Sequence, residues 1–319
     1  MRLTILFISI FILSSCLKEE LPIPKREAGD ILTNQVNIGP KYEYQVYFDL
    51  SSNQMTGKNS KDIWDIGFET GEDGSRVIIN TAKNMMVYAT EKTNMAEITN
   101  ENGYANNPRF DSATGNLDST GVGSWEDGKV RVIDMGYSSE GNPIGWYKLK
   151  INEVTTSTYT FEFAEISATS SHTVTLLKQD EYNFTYYSLL TKSEQNVSPK
   201  TQDWDFVFTQ YIHQFYEPVE TPYLVTGCIT NRSGVKVKMI TEIEFDTIDL
   251  AYASTLTLSE QTNTIGFSWK KLVENDYDIN THISYIIQDH EGIYYKLRFV
   301  DFYSETGEKG NPVWEYQEL

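Results

Sequence analysis

The sequence predicts an all-β protein, on three observations. Short runs alternate apolar and polar residues with the two-residue period of half-buried strands, as from Tyr42 to Leu50 and from Tyr159 to Phe163. No segment carries an extended apolar stripe at helical spacing between recognisable caps. Aromatic residues make up 13% of the chain, with 21 Tyr, 15 Phe and 6 Trp, a bias toward side chains that pack on pleated surfaces.

Taken in order, the chain opens with Arg2 and an apolar run from Leu3 that closes on Leu13, Ser14, Ser15 and Cys16. The run is too short to span a bilayer, and small residues precede the cysteine. It resembles the lipobox of a bacterial lipoprotein signal peptide, so residues 1–15 are expected to be removed and Cys16 lipidated. Lys18, Glu19 and Glu20 resemble the short acidic signal that sends Bacteroidetes lipoproteins to the outer face of the outer membrane. The expected location is the outer membrane, lipid-anchored and exposed at the cell surface. Residues 16–34, with Pro22 and Pro24 and few large apolar groups, read as the lipidated cysteine and a flexible tether.

The rest divides into two homologous β-modules, 35–170 and 171–319, because the sequence repeats itself. Tyr44, Tyr47, Leu50, Trp64, Asp65, Ile66 and Phe68 stand at a constant offset of 140 from Phe184, Tyr187, Leu190, Trp204, Asp205, Phe206 and Phe208, with no gap. Tyr147-Lys148-Leu149-Lys150 answers Tyr295-Lys296-Leu297-Arg298 at an offset of 148, a net insertion of eight residues in the second copy. Each module is expected to begin with a strand, a polar loop and a Trp-Asp strand, and to end on a Tyr-Lys-Leu hairpin. Residues 99–128, rich in Gly, Asn, Ser and Asp, read as long loops. Alternation would send Trp64, Ile66 and Phe68 to one face and Asp65 to the other. Trp64 and Trp204 are thus expected as core anchors, and Asp65 and Asp205 as carboxylates that bond loop amides.

Composition narrows the function. The net charge of −19 repels phosphate backbones, and no basic cluster offsets it, so nucleic acid is excluded as a partner. With Cys16 spent on lipid, Cys228 is the remaining thiol, which leaves no intramolecular disulfide and no thiolate metal cluster. His172, His213, His282 and His290 form no H-E-x-x-H or close pair. The run from Asp276 to Asn280 begins like a calcium loop but has Thr281 at the glycine position, and reads as a polar turn. No nucleophile elbow, complete nucleotide loop or distinctive carboxylate pair stands out, and the chain is read as a binding protein rather than an enzyme.

The run from Tyr44 to Leu50 followed by Trp64-Asp65-Ile66, its counterpart through Trp204-Asp205, and the closing stretch from Tyr294 to Val300 with Trp314-Glu315-Tyr316 resemble the opening and closing motifs of the HmuY family. The resemblance implies an all-β Bacteroidetes lipoprotein that binds heme and delivers it to a TonB-dependent outer-membrane receptor. It also implies two axial donors on opposite loops, with apolar and aromatic walls for the macrocycle. His290 stands near the family's second heme-ligating position, and no His lies a comparable distance upstream; His282 is too near. His213 is the alternative partner, and Met239, Met85 and Met86 are weaker ones. No metal site is expected outside these heme candidates. The competing reading is a glycan-binding or receptor-accessory surface lipoprotein without heme, using exposed Tyr and Trp.

Overall fold

The computed structural model describes residues 28–104 and 106–319, so the signal peptide, Cys16 and most of the tether lie outside the described residues. Alternating sequence becomes strand almost throughout. The first ten strands are β1 (Leu32–Gln35), β2 (Tyr44–Asp49), β3 (Gln54–Ser60), β4 (Ile66–Glu69), β5 (Val77–Ile79), β6 (Met86–Ala89), β7 (Arg131–Asp134), β8 (Trp146–Val154), β9 (Thr158–Glu165) and β10 (His172–Leu177). They are followed by β11 (Phe184–Ser188), β12 (Ser193–Gln195), β13 (Phe206–Phe215), β14 (Thr221–Thr230), β15 (Lys236–Ile240), β16 (Lys270–Val273), β17 (Asp276–Ile279), β18 (Ser284–Gln288), β19 (Tyr294–Tyr303) and β20 (Lys309–Glu318). The stretch from Asp276 to Ile279 is therefore a strand paired with β16, not a polar turn.

Four main sheets result. Two outer sheets have the orders β1-β20-β19-β18-β15 and β10-β9-β8-β7-β6, and two inner sheets β14-β13-β2-β3 and β12-β11-β4-β5. Each outer sheet packs on one inner sheet. Phe48, Phe206 and Phe208 join Tyr285, Leu297, Phe299 and Trp314 in one core. Ile66, Phe68 and Tyr187 join Ile133, Leu149, Phe161 and Phe163 in the other.

The two repeats are interlaced by a reciprocal exchange of strands. β2, from the first repeat, pairs with β13 of the second, and β1, whose residues 32–34 fall in the expected flexible tether, is instead a strand paired with β20. β11, from the second repeat, pairs with β4 of the first, and β10, directly before it in the chain, pairs with β9. Each lobe is thus built from the opening strands of one repeat and the body of the other.

Register corrects the gapless alignment at its opening strand. Phe206 faces Phe48, whereas the equivalent Ile66 faces Tyr187. Tyr47 therefore matches Tyr186, Phe48 matches Tyr187 and Leu50 matches Leu189, at an offset of 139, and one extra residue restores 140 before the Trp-Asp motif. A one-residue slip moves every side chain to the other face of a sheet, so strand pairing decides the equivalence. The later insertion is also localised. The offset is 151 between Asn80 and Asn231, so the β13–β14 hairpin carries eleven residues more than β4–β5.

Candidate functional site

The Trp-Asp motifs sit where the chain crosses between lobes. Asp65 Oδ2 accepts the Leu189 amide at 2.6 Å and the Ser188 hydroxyl at 3.1 Å. Asp205 Oδ2 accepts the equivalent Leu50 amide at 2.7 Å. Each carboxylate therefore holds the turn that follows the strand received from the other repeat. Asn80 Nδ2 donates to the Lys61 and Trp64 carbonyls, and Asn231 Nδ2 to those of Thr201 and Trp204. These bonds satisfy the backbone of the crossing, which would otherwise be buried unpaired.

Trp64 and Trp204 are buried, but not with Ile66 and Phe68. Trp64 stands edge-on to Tyr186 at 4.8 Å, and Trp204 edge-on to Tyr47 at 5.1 Å. The two pairs line a cavity of about 200 Å³ between the inner sheets. The expected shared face fails because the chain is still crossing at Trp64 and the strand begins only at Ile66.

His213 stands on the extended part of β13. Its ring meets Phe215 at 4.7 Å and Phe267 at 5.1 Å, both edge-on, and its Nδ1 is buried without a hydrogen-bond partner among the described residues. Burial lowers its pKa, so the imidazole is neutral near pH 7. Around it the hairpin tip exposes Phe215, Tyr216, Val219 and Tyr223, with Tyr216 at 74% and Tyr223 at 62%. The additional length of the second repeat is what carries this aromatic surface.

His290 lies outside that hairpin, near its base beyond the end of β14. It occupies the turn after β18, where Asp289 Oδ1 accepts the Glu291 and Ile293 amides at 2.9 and 2.8 Å, and it backs onto Gly234. His213 is eight residues along the chain from Asp205, roughly 25 Å at about 3.3 Å per residue. The structure does not bring the two histidines together, so they cannot share one iron in this arrangement. His282 is exposed, and His172 lies against Phe163 on β10. Met85 is in the core, while Met86 and Met239 are partly buried against apolar clusters.

The family model for HmuY protein matches the sequence twice, over residues 41–179 and 180–316. The chain belongs to the HmuY family. It does so as two tandem copies, which the interlaced lobes display directly. HmuY proteins are binding proteins, and no curated protein sequence matches this one. Among solved structures it is similar to apo PinO from Porphyromonas gingivitis, at 10% identity and a TM-score of 0.37, over 91% of this chain and 97% of that one. It is also similar to the apo HmuY analog of Tannerella forsythia, at 9% identity and a TM-score of 0.25, over 92% and 99% of the two chains. A Bacteroides vulgatus protein described as HmuY-like and heme-binding matches at 9% identity and a TM-score of 0.23, over 90% of each chain.

Within this HmuY protein, several residues that shape the sites escaped the sequence reading. Asn80 and Asn231 were hidden by the change of offset across the hairpin insertion. Lys148 and Lys296 were legible as a repeat but not as buried amines. Lys148 Nζ donates to the Met95, Ile98 and Ala168 carbonyls, and Lys296 Nζ to those of Phe245 and Ile248. Arg232, with its Cζ 5.5 Å from the centre of the Phe184 ring, carried no signal at all.

Proposed function

We propose that this HmuY protein is an outer-membrane lipoprotein of the cell surface that binds heme on the His213 hairpin for delivery to a TonB-dependent receptor. The family match over both repeats carries the reading. Its placement is supported by His213, whose neutral imidazole stands among aromatic rings that would wall a macrocycle. The central cavity is excluded by size, since about 200 Å³ falls below the roughly 300–1,000 Å³ of sites for drug-sized ligands.

Heme titration of the purified protein tests it. The expected result is a saturable Soret shift at one heme per chain, abolished by His213→Ala and retained in His290→Ala. Loss in His290→Ala alone would move the site to the β18–β19 turn. Exposed Tyr216 and Tyr223 favour a second reading, carbohydrate stacking, which predicts retention on a polysaccharide matrix and no spectral change.

A further inference from the structure

The cavity between the inner sheets is built on a local twofold relation that one side chain breaks. Tyr47 with Trp204 and Tyr186 with Trp64 form equivalent edge-on pairs. On one side the Trp64 indole N–H donates to Gln45 Oε1 at 3.0 Å. The residue equivalent to Gln45 is Phe184, which has no acceptor to offer. Trp204 Nε1 is accordingly buried with no partner among the described residues, in a side chain only 7% exposed. An unpaired buried donor is costly, and it marks a place where an acceptor from outside the chain would be stabilised.

Charge around the cavity points to the nature of that acceptor. Among the described residues that line it, Arg232 is the only cation and Asp111 the only acid. Asp111 already accepts the Ile79 and Gly121 amides at 2.7 Å each, one on each oxygen. The Arg232 guanidinium has an aromatic face beneath it but no hydrogen-bonded carboxylate among the described residues. Planar guanidinium groups favour carboxylates, and the four rings of the Tyr and Trp pairs favour a flat apolar body. Size sets a further bound, because a cavity of roughly 150 Å³ already takes benzene.

We propose that the cavity between the inner sheets binds a small planar aromatic carboxylate, its ring among the Tyr47–Trp204 and Tyr186–Trp64 pairs and its carboxylate on Trp204 Nε1 and Arg232. The cavity is lined by the base of the β13–β14 hairpin rather than by its aromatic tip, and binding in it does not depend on heme binding at that tip.

Benzoate serves as the probe, titrated into full-length protein carrying ¹⁵N-labelled indole groups, with the Trp204 resonance assigned from Trp204→Phe. The Trp204 N–H signal is expected to shift saturably, with benzyl alcohol binding at least ten-fold more weakly than benzoate. Arg232→Gln is expected to weaken benzoate at least ten-fold. Phe184→Gln gives Trp204 the acceptor that Gln45 gives Trp64, and is expected to weaken benzoate while leaving the fold unchanged. Absence of a saturable shift would overturn the proposal, as would equal binding of benzoate and benzyl alcohol or unchanged affinity in Phe184→Gln.

Discussion

Lys83 donates to Asp65 in an ion pair whose two side chains are both without solvent exposure. The second repeat has no such pair, because the position equivalent to Lys83 is Gly234. Asp205 Oδ1 is left buried with no partner among the described residues. Two carboxylates in the same architectural role are therefore expected to respond to mutation in opposite ways.

Asp65→Asn strands a buried ammonium and is expected to cost about 3–5 kcal/mol. Urea unfolding at pH 7 measures it. A change within error of zero would mean that Lys83 finds a substitute partner.

Asp205 supplies a pH dependence. Burial, reinforced by Asp49, Asp289 and Glu291, pushes its carboxyl up to about 7 against the opposing Leu50 amide bond. The folded state then holds a proton that the unfolded state releases near pH 4, so stability falls as pH rises from about 4 to about 7. Asp111, also lifted to about 7 by burial, contributes a slope of the same sign. Asp205→Asn is expected to match the parent near pH 4 and to exceed it above pH 7 by up to about 4 kcal/mol. Unfolding curves across that range would show parallel lines if Asp205 were not the source.

Trp64→Ala and Trp204→Ala are each expected to destabilise by about 3–5 kcal/mol, the order for emptying a large buried site. The phenylalanine variants separate them. Trp64→Phe leaves buried Gln45 without its donor and is expected to cost about 1–2 kcal/mol more than Trp204→Phe, since the Trp204 indole N–H has no acceptor among the described residues. Equal losses in thermal unfolding would contradict the assignment.

Lys148→Met removes the donor to the Ile98 and Ala168 carbonyls, and Lys296→Met the donor to the Ile248 carbonyl, while the Met95 and Phe245 carbonyls keep the Ile98 and Ile248 amides. The expected cost is about 2–4 kcal/mol, larger for Lys148, which serves three carbonyls against two for Lys296. Denaturant midpoints of the two variants decide the ranking.

The strand exchange predicts how the halves behave apart. Residues 171–319 alone lack β1 and β2, on which β20 and β13 close. No stable monomer is expected; the half should either unfold or dimerise by exchanging β10, β11 and β12 between copies. Light scattering with circular dichroism distinguishes these from a folded monomer, which would show that the equivalent strands substitute freely.

Strand class, the duplication and the Trp-Asp and Tyr-Lys-Leu motifs were determined by the sequence itself. Alternation and recurrence are properties of the residues in order, and they survive without coordinates. His213 and His290 were legible as candidates for the same reason, being two of only four histidines.

Tertiary structure alone decided which repeat receives which strand, because two homologous modules offer nearly the same edge and the choice rests on packing between distant segments. It moved Trp64 and Trp204 out of the sandwich cores into a shared cavity, since the chain is crossing between lobes at both. It also set His213 toward the tip of the long β13–β14 hairpin and His290 in the separate β18–β19 turn, a separation that spacing in sequence could not express.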